Sequence, residues 1–373
     1  MKLAFYSPTR GPLDFLQGQA TECGGAEKQI AYLMRALSTR GHEVHLFYGG
    51  AAQATDTEAG GIRIHPIQVT WRHPQSLVQL WQTLNRVKPA LIYARLPDDF
   101  LWMLGLFARL HRSSRFVYAL AADILADPWR TYTYNRWFHG PLYALGLAAA
   151  DAVFIQHEGQ RALVKPYSTG KALHVPSIIH PIAPQARRFC QTDYDAIWVA
   201  QVRPFKRLPL FLDLVEQSPH LHFAMVGGFN NTLDRQTQRK LQCRIRLLPN
   251  LEYLGLQTPQ ATHELIRRSK VLVNTSSEEG FPNTMLEAWS VGVPVVSLSV
   301  DPGAVIQRHR LGLVSGAVER MSQDLDSLVA SPALNDTLGR NGYAYVQAHH
   351  SLDAVCTTFE QMMNDVVEGS LHS

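Results

Sequence analysis

The sequence predicts two α/β domains in tandem, each an open, doubly wound sheet of mainly parallel strands. Three observations predict it. Short β-rich runs alternate with helical patterns along the chain. The first helical pattern carries its apolar residues on one face. The length, 373 residues, exceeds what one typical core organises.

In the first half, LAFYS (3–7), VHLFY (44–48), LIYA (91–94), FVYAL (116–120) and AVFIQ (152–156) read as buried strands. Between the first two, Ile30, Leu33, Met34 and Leu37 recur at helical spacing, and Gly41 sits where a glycine ends a helix. Strand, helix and strand at this spacing make a parallel crossover. A second series follows: AIWVA (196–200), HFAMVG (222–227), VLVNTS (271–276) and PVVSL (294–298).

Prolines cluster across 175–189, so the expected domains are 1–182 and 183–350. From Ser351 onward, Val355, Phe359, Met362, Met363 and Val366 share a helical face. Ser351 is placed as N-cap, Asp353 lies in the first turn and Gly369 follows the end. This final helix, 351–373, is expected to return to the first domain.

Apolar residues make up 46% of the chain and charged residues 18%, which excludes a disordered class. The net charge of +4 suits anionic ligands or an anionic membrane surface, and the chain lacks the dense Lys/Arg stripe of a nucleic-acid binder. Cys23, Cys190, Cys243 and Cys356 are far apart and form no CxxC pair, so they suggest neither a zinc site nor a disulfide framework. No run reaches the roughly 18–20 apolar residues of a membrane span. The longest greasy tract, 140–154, contains Pro141 and Asp151. The N-terminal apolar run is too short for a signal peptide. The expected location is the cytoplasm.

Ligands of such sheets bind outside the carboxyl ends of the strands, and two such domains can face each other across a cleft. One loop after a strand is distinctive. Around NTSSEEGFPNTMLEAWSVGVPVVSL (274–298), VLVNTS (271–276) is the strand, SEEGFP the loop and NTMLEAWS the helix. Pro282 is expected in the helix's first turn, where its missing N–H costs nothing. The amides of Asn283, Thr284 and Met285 would then point outward with the helix dipole behind them, a site for phosphate. Gly280 lets the backbone approach a ligand. Carboxylates there would repel a phosphate, so Glu279 and Glu287 need another task. A carboxylate accepts two hydroxyl hydrogen bonds, and a ribose diol or a sugar supplies them. The pattern suits a nucleotide sugar.

With these residues in view, SSEEGFPNTMLEAWSVGVPVVS (276–297) resembles the signature of the retaining glycosyltransferases of family 4, which have the GT-B fold. GGAEKQIAYLMRALSTRGHEVHLF (24–47), WVAQVRPFKRLPLFLDL (198–214), MVGGFN (225–230) and LEYLGLQTPQATHELIRRSKVLVNTS (251–276) are similar to further segments of that family, in order. The resemblance implies that Glu287 binds the donor ribose. It implies that Glu279, with backbone groups of Gly280, Phe281 and Pro282, holds the transferred sugar. Asn283, Thr284 and Met285 would touch the diphosphate, and Lys206 would neutralise it from the opposite side. Gly227 and Gly228 would let the nucleotide lie close to the backbone, and Leu256 would contact the base through its main chain. Gly24 and Gly25 would border the reacting centre from the first domain.

The chain departs from the family twice. The usual Arg five residues before the Lys is Gln201 here, with Arg203 nearby as a replacement charge. The usual first-domain His is absent from FVYALAADILAD, where Asp123 is the nearest polar candidate. His157, after a strand, is read as structural or solvent-facing, and Asp98-Asp99 as a helix start.

The resemblance implies transfer with retention, by front-side displacement, with no metal and no other cofactor. The implied partners are a nucleotide sugar and a glycan or lipid-linked acceptor. The basic, aromatic tract 127–143, with Arg130 and Arg136, suits either a packed helix or a peripheral membrane contact. The open alternatives are a non-catalytic sugar-nucleotide-binding homologue, a partner subunit, or a sugar-nucleotide epimerase of the same fold. A nicotinamide-dependent oxidoreductase is excluded, because the first loop is far too long for its glycine fingerprint.

Overall fold

The computed structural model describes residues 1–18, 24–49, 56–67, 75–131, 136–179, 192–229 and 232–369. The expected join at 182/183 lies outside the described residues, as do Cys23 and Cys190. The chain divides into two compact units: Met1–His180 with Leu352–Ser373, and Pro181–Ser351.

The first unit holds β1 (Lys2–Ser7), β2 (Glu43–Tyr48), β3 (Thr57–Ala59), β4 (Ile62–Pro66), β5 (Leu91–Ala94), β6 (Arg115–Ala119), β7 (Ala152–Ile155) and β8 (Lys171–His174). They form one sheet in the order β3-β4-β2-β1-β5-β6-β7-β8, parallel except for β3 against β4. On one face, the helix Gly25–Thr39 buries Ile30, Leu33, Met34 and Leu37 against Leu3, Phe5, Val44 and Leu46. On the other, Leu104 and Phe107 of the helix Leu101–Leu110 join Tyr143 and Leu147 of the helix Arg136–Ala149. Pro141 lies inside that last helix.

The helix Leu352–Val367 belongs to this unit. Phe359 is fully buried, its ring 5.8 Å from Tyr93 and 5.6 Å from Phe154. At its rim, Arg40 pairs with Asp353 at 3.2 Å and with Glu360 at 3.0 Å. Covering the sheet with this helix removes a broad apolar stripe from water, the largest favourable contribution a helix of this length can make.

The second unit holds β9 (Tyr194–Val199), β10 (Phe223–Val226), β11 (Leu251–Gly255), β12 (Ser269–Asn274), β13 (Val295–Ser297) and β14 (Gly312–Val314), all parallel, in the order β11-β10-β9-β12-β13-β14. Its core gathers Trp198, Phe211, Phe223 and Val273.

The sequence patterns locate the central strands and miss β3, β4, β8, β11 and β14. A strand buried on both faces reads as an apolar run. The missed strands do not. β3 and β8 are largely exposed, β11 is only half-buried, β4 carries an exposed Arg63, and β14 has three residues. A short helix, Gly11–Leu16, also stands where the sequence suggests only a loop, with Pro in its first turn and Leu13 buried. Among the described residues, no helix is long and apolar enough to cross a membrane.

Candidate functional site

Two loops of the second unit meet beyond the ends of β9 and β12. The first, after β9, makes a short 3-10 turn at Pro204–Lys206. The second, after β12, leads to the helix Asn283–Ser290. They are sewn together by backbone and side-chain bonds. Ser277 N–H donates to Phe205 O at 2.8 Å, and Thr275 Oγ1 donates to Lys206 O at 2.7 Å. Trp198 Nε1, buried beneath, donates to Thr275 Oγ1 at 3.0 Å.

Arg207 is the main fastener, and sequence reasoning missed it. Its backbone is left-handed, with φ 50°. That turn sends the guanidinium back across the second loop, where Nε donates to Thr275 O at 2.6 Å. Nη2 donates to Ser276 O at 2.8 Å and to Ser299 Oγ at 2.6 Å. The only signal in the sequence was a second cation directly after Lys206.

Lys206 Nζ forms a short ion pair with Glu279 Oε1, which also accepts from Ser276 Oγ at 2.8 Å. Both side chains are largely buried. Lys206, expected on the diphosphate, and Glu279, expected on the transferred sugar, are therefore in contact here. Arg203 is exposed and donates to Gln201 Oε1 at 3.0 Å, so the substituted position and the charge expected to replace it touch each other.

At the helix start, Pro282 occupies the cap position, with ψ 120°, one residue before the first turn in which it was expected. Its carbonyl accepts the Met285 N–H at 3.1 Å. Met285 therefore does not present an outward amide as expected, because a tight turn already uses it. Asn283 and Thr284 occupy the first two helical positions, at the positive end of the dipole. Met285 is fully buried. Phe281 is nearly so, its ring 4.8 Å from His350 and 6.3 Å from Trp289, and it pins the loop to the core. Gly280 is buried and Glu287 is half-buried on the same helix.

The glycines after β10 make room for protein rather than leaving open space. Gly227 has φ 140°, and a Cβ there would lie 1.7 Å from Ala200 O. A Cβ on Gly228 would lie 2.5 Å from Leu256 Cδ1. Leu256 itself is 50% exposed and follows Gly255, whose φ is 66°.

In the first unit, Gly24 caps the helix that begins at Gly25, and its N–H donates to Glu27 Oε2 at 2.7 Å. Glu27 Oε1 accepts from Thr9 Oγ1 at 2.5 Å, which ties the β1 loop to that helix start. Asp123 does not stand alone after β6. Its Oδ1 accepts from Gln160 Nε2 at 2.9 Å and pairs with His157 Nε2 at 3.0 Å. His157 is 8% exposed. Asp98 Oδ1 accepts the Phe100 N–H at 2.7 Å just before the helix Leu101–Leu110, and burial pushes its pKa up to about 7. Among the described residues, no three His, Cys, Asp or Glu side chains cluster as a metal site. Of the described cysteines, Cys243 is exposed, Cys356 is buried, and both are free.

Comparison with known proteins follows the same division. The model described as "Glycosyl transferase 4-like domain" matches residues 24–175, and the one described as "Glycosyl transferases group 1" matches residues 194–331. The chain is 26% identical over 171 residues to glycosyltransferase 1 domain-containing protein 1 of Xenopus tropicalis, across 45% of this chain and 48% of that protein. It spans about half the length of the curated relatives it matches. Sucrose-phosphate synthase from Thermosynechococcus elongatus superimposes with a TM-score of 0.76 at 17% identity, over 99% of this chain and 100% of that one. Anabaena HepE in complex with UDP-glucose superimposes with a TM-score of 0.72 at 15% identity, over 98% and 100%.

Proposed function

We propose that this chain, which belongs to the group 1, family 4-like glycosyltransferases with the GT-B fold, transfers a sugar with retention from a nucleotide-sugar donor to a glycan or lipid-linked hydroxyl. The observation that carries the reading is the seating of Lys206 and Glu279 together beside the Asn283–Ser290 helix start. One cation, one carboxylate and a helix dipole meet at the ends of parallel strands, where such sheets bind ligands.

In this proposal the donor diphosphate lies against the amides of Asn283 and Thr284 and takes Lys206 as its counter-ion. Arg203, through Gln201, adds charge at the rim. Glu279 turns to the hydroxyls of the transferred sugar, and Glu287 takes the ribose diol. The base contacts the main chain of Leu256. The acceptor hydroxyl attacks from the face that the leaving group vacates, and the departing phosphate oxygen takes its proton. The protein's work is positioning and charge stabilisation. Lys206 and the helix end supply the positive charge that a metal would otherwise bring, so no cofactor is proposed. Gly24, Gly25 and Asp123 would border the acceptor side.

HepE was solved with UDP-glucose, so a UDP-sugar is the first donor to test. A peripheral membrane contact belongs to the same proposal. Trp137 is 74% exposed, Phe138 and Trp129 are partly exposed, and the Trp129 and Trp137 rings lie 5.7 Å apart. Aromatic side chains of this kind favour the lipid interface. Failure to float with anionic liposomes at low salt would end that part.

The deciding experiment is calorimetric titration of UDP, GDP and ADP in EDTA against wild type and Glu287→Ala. One nucleotide binding in EDTA, and clearly weaker in the variant, supports the donor site. Binding by none of the three removes it and favours a non-catalytic homologue.

A further inference from the structure

Arg95 follows β5 and is 6% exposed, yet it has no proper counter-ion. Its Nη1 donates to Tyr93 Oη at 3.3 Å, and its Nη2 reaches Ser177 Oγ at 3.5 Å. Both are long for charged donors. Ser177 Oγ already accepts from Gln156 Nε2 at 2.7 Å. Arg95 Nε is buried and bonded to nothing. Among the described residues, no carboxylate pairs with this guanidinium. Asp98, three positions on, accepts the Phe100 N–H instead.

A buried charge left unpaired costs several kcal/mol in a folded protein. Chains avoid that cost or balance the charge with a bound ion. Here Arg95 lines a small cavity of about 10 Å³, together with Tyr93, Gln29, Leu33, Ile178 and Val355. Its walls are polar and apolar in nearly equal measure. The Gln29 amide is bonded in both directions to the Ile178 backbone at 2.7 Å. A space of this size holds about one water-sized atom.

We propose that Arg95 is the floor of an anion site that takes a single anionic atom: a halide, or one oxygen of a carboxylate or phosphate. Nε–H is its principal donor. Water alone would satisfy the hydrogen bond and leave the charge unbalanced. Val355 comes from the returning helix Leu352–Val367, and Ile178 from the segment after β8. The anion therefore lies where the helix Gly25–Thr39, the segment after β8 and the returning helix meet the end of β5. Binding strengthens the docking of that helix.

The test uses the full chain and Arg95→Met. Thermal unfolding is followed while fluoride, chloride, bromide, acetate or phosphate is titrated, and hydrogen exchange is read over 352–367. In wild type, the midpoint is expected to rise by about 2–4 °C and to saturate with the binding anion. Exchange in the returning helix slows in parallel. Arg95→Met shows neither change, because general salt effects are shared by both proteins and cancel in the comparison. A response to halides alone identifies a free monatomic ion as the occupant. A response to acetate and phosphate identifies a carboxylate or phosphate group. A crystal soaked in bromide should show an anomalous peak within hydrogen-bond reach of Arg95 Nε. If Arg95→Met fails to fold, the saturation in wild type and the bromide peak still decide. Equal shifts in both proteins, or no saturable shift and only neutral density at Nε, overturn the proposal.

Discussion

Lys206 and Glu279 stand 73 positions apart in the chain and form an ion pair with side-chain exposures of only 18% and 14%. The pair closes two loops over one spot. It also means that the cation proposed for the diphosphate is already neutralised before any ligand arrives. In the proposed donor site, a diphosphate would compete with Glu279 for Lys206, and the Glu279 so released would be free to accept the hydroxyls of the transferred sugar.

This competition separates the two residues experimentally. Glu279→Gln should bind the nucleoside diphosphate tighter, on the order of fivefold, because Lys206 is freed. The same variant should lose sugar transfer. Lys206→Ala should lose about 10²–10³-fold in turnover, the scale of a preorganised donor aimed at developing charge. A change at Thr284 should cost less, because a helix terminus supplies only about 0.3–1 kcal/mol, or roughly 2 when partly buried. Comparable turnover in Lys206→Ala and wild type would remove the proposed role.

Arg207→Met should destabilise the second unit by about 2–3 kcal/mol, from the loss of three bonds from a charged fork. Arg207→Lys should not restore it, since an ammonium cannot reach both carbonyls and Ser299 in the guanidinium's plane. Chemical denaturation with a probe in the second unit measures both. Full rescue by Lys would mean that charge alone matters there.

The adjacent glycines should differ sharply. Gly227→Ala sets a methyl 1.7 Å from a backbone carbonyl at φ 140°, so a loss above about 3 kcal/mol is expected. Gly228→Ala meets only the end of the Leu256 side chain, which can rotate away. It should fold well and alter nucleotide affinity more than stability. Melting temperature and nucleotide titration together check the contrast.

Asp98 makes the first unit's stability depend on pH. Burial is the main cause of its raised pKa of about 7, and neighbouring Asp99 adds to it. The folded chain therefore holds a proton that the unfolded chain has released by about pH 4. The associated stability is present at low pH and is lost as pH rises toward 7. Asp98→Asn should remove that slope and gain on the order of 3 kcal/mol relative to wild type at pH 8. Denaturant midpoints measured from pH 5 to 8 decide it, and parallel pH profiles would count against the assignment.

Phe359→Ala should cost about 3–5 kcal/mol, the range for an aromatic side chain removed from a core. Phe359 is fully buried between Tyr93 and Phe154. The loss should appear in the first unit's unfolding, although the residue lies at the far end of the chain. Unfolding followed by a probe in the first unit tests this.

The sequence by itself determined the class of fold and the central strands of both sheets, because strands buried on two faces must be apolar throughout. It also marked the loop 277–282 and its helix, because a glycine, a proline and spaced carboxylates are local chemistry written in order. The edge strands were not legible, since their half-exposed residues carry no run of one kind. Only the tertiary structure decided which side chains face one another. The bond between Lys206 and Glu279, the three bonds of Arg207, the seating of His157 on Asp123 and the cavity beside Arg95 all join residues far apart along the chain or depend on which atoms pack around them. Periodicity reports which face of an element is buried. It carries no record of the partner that buries it.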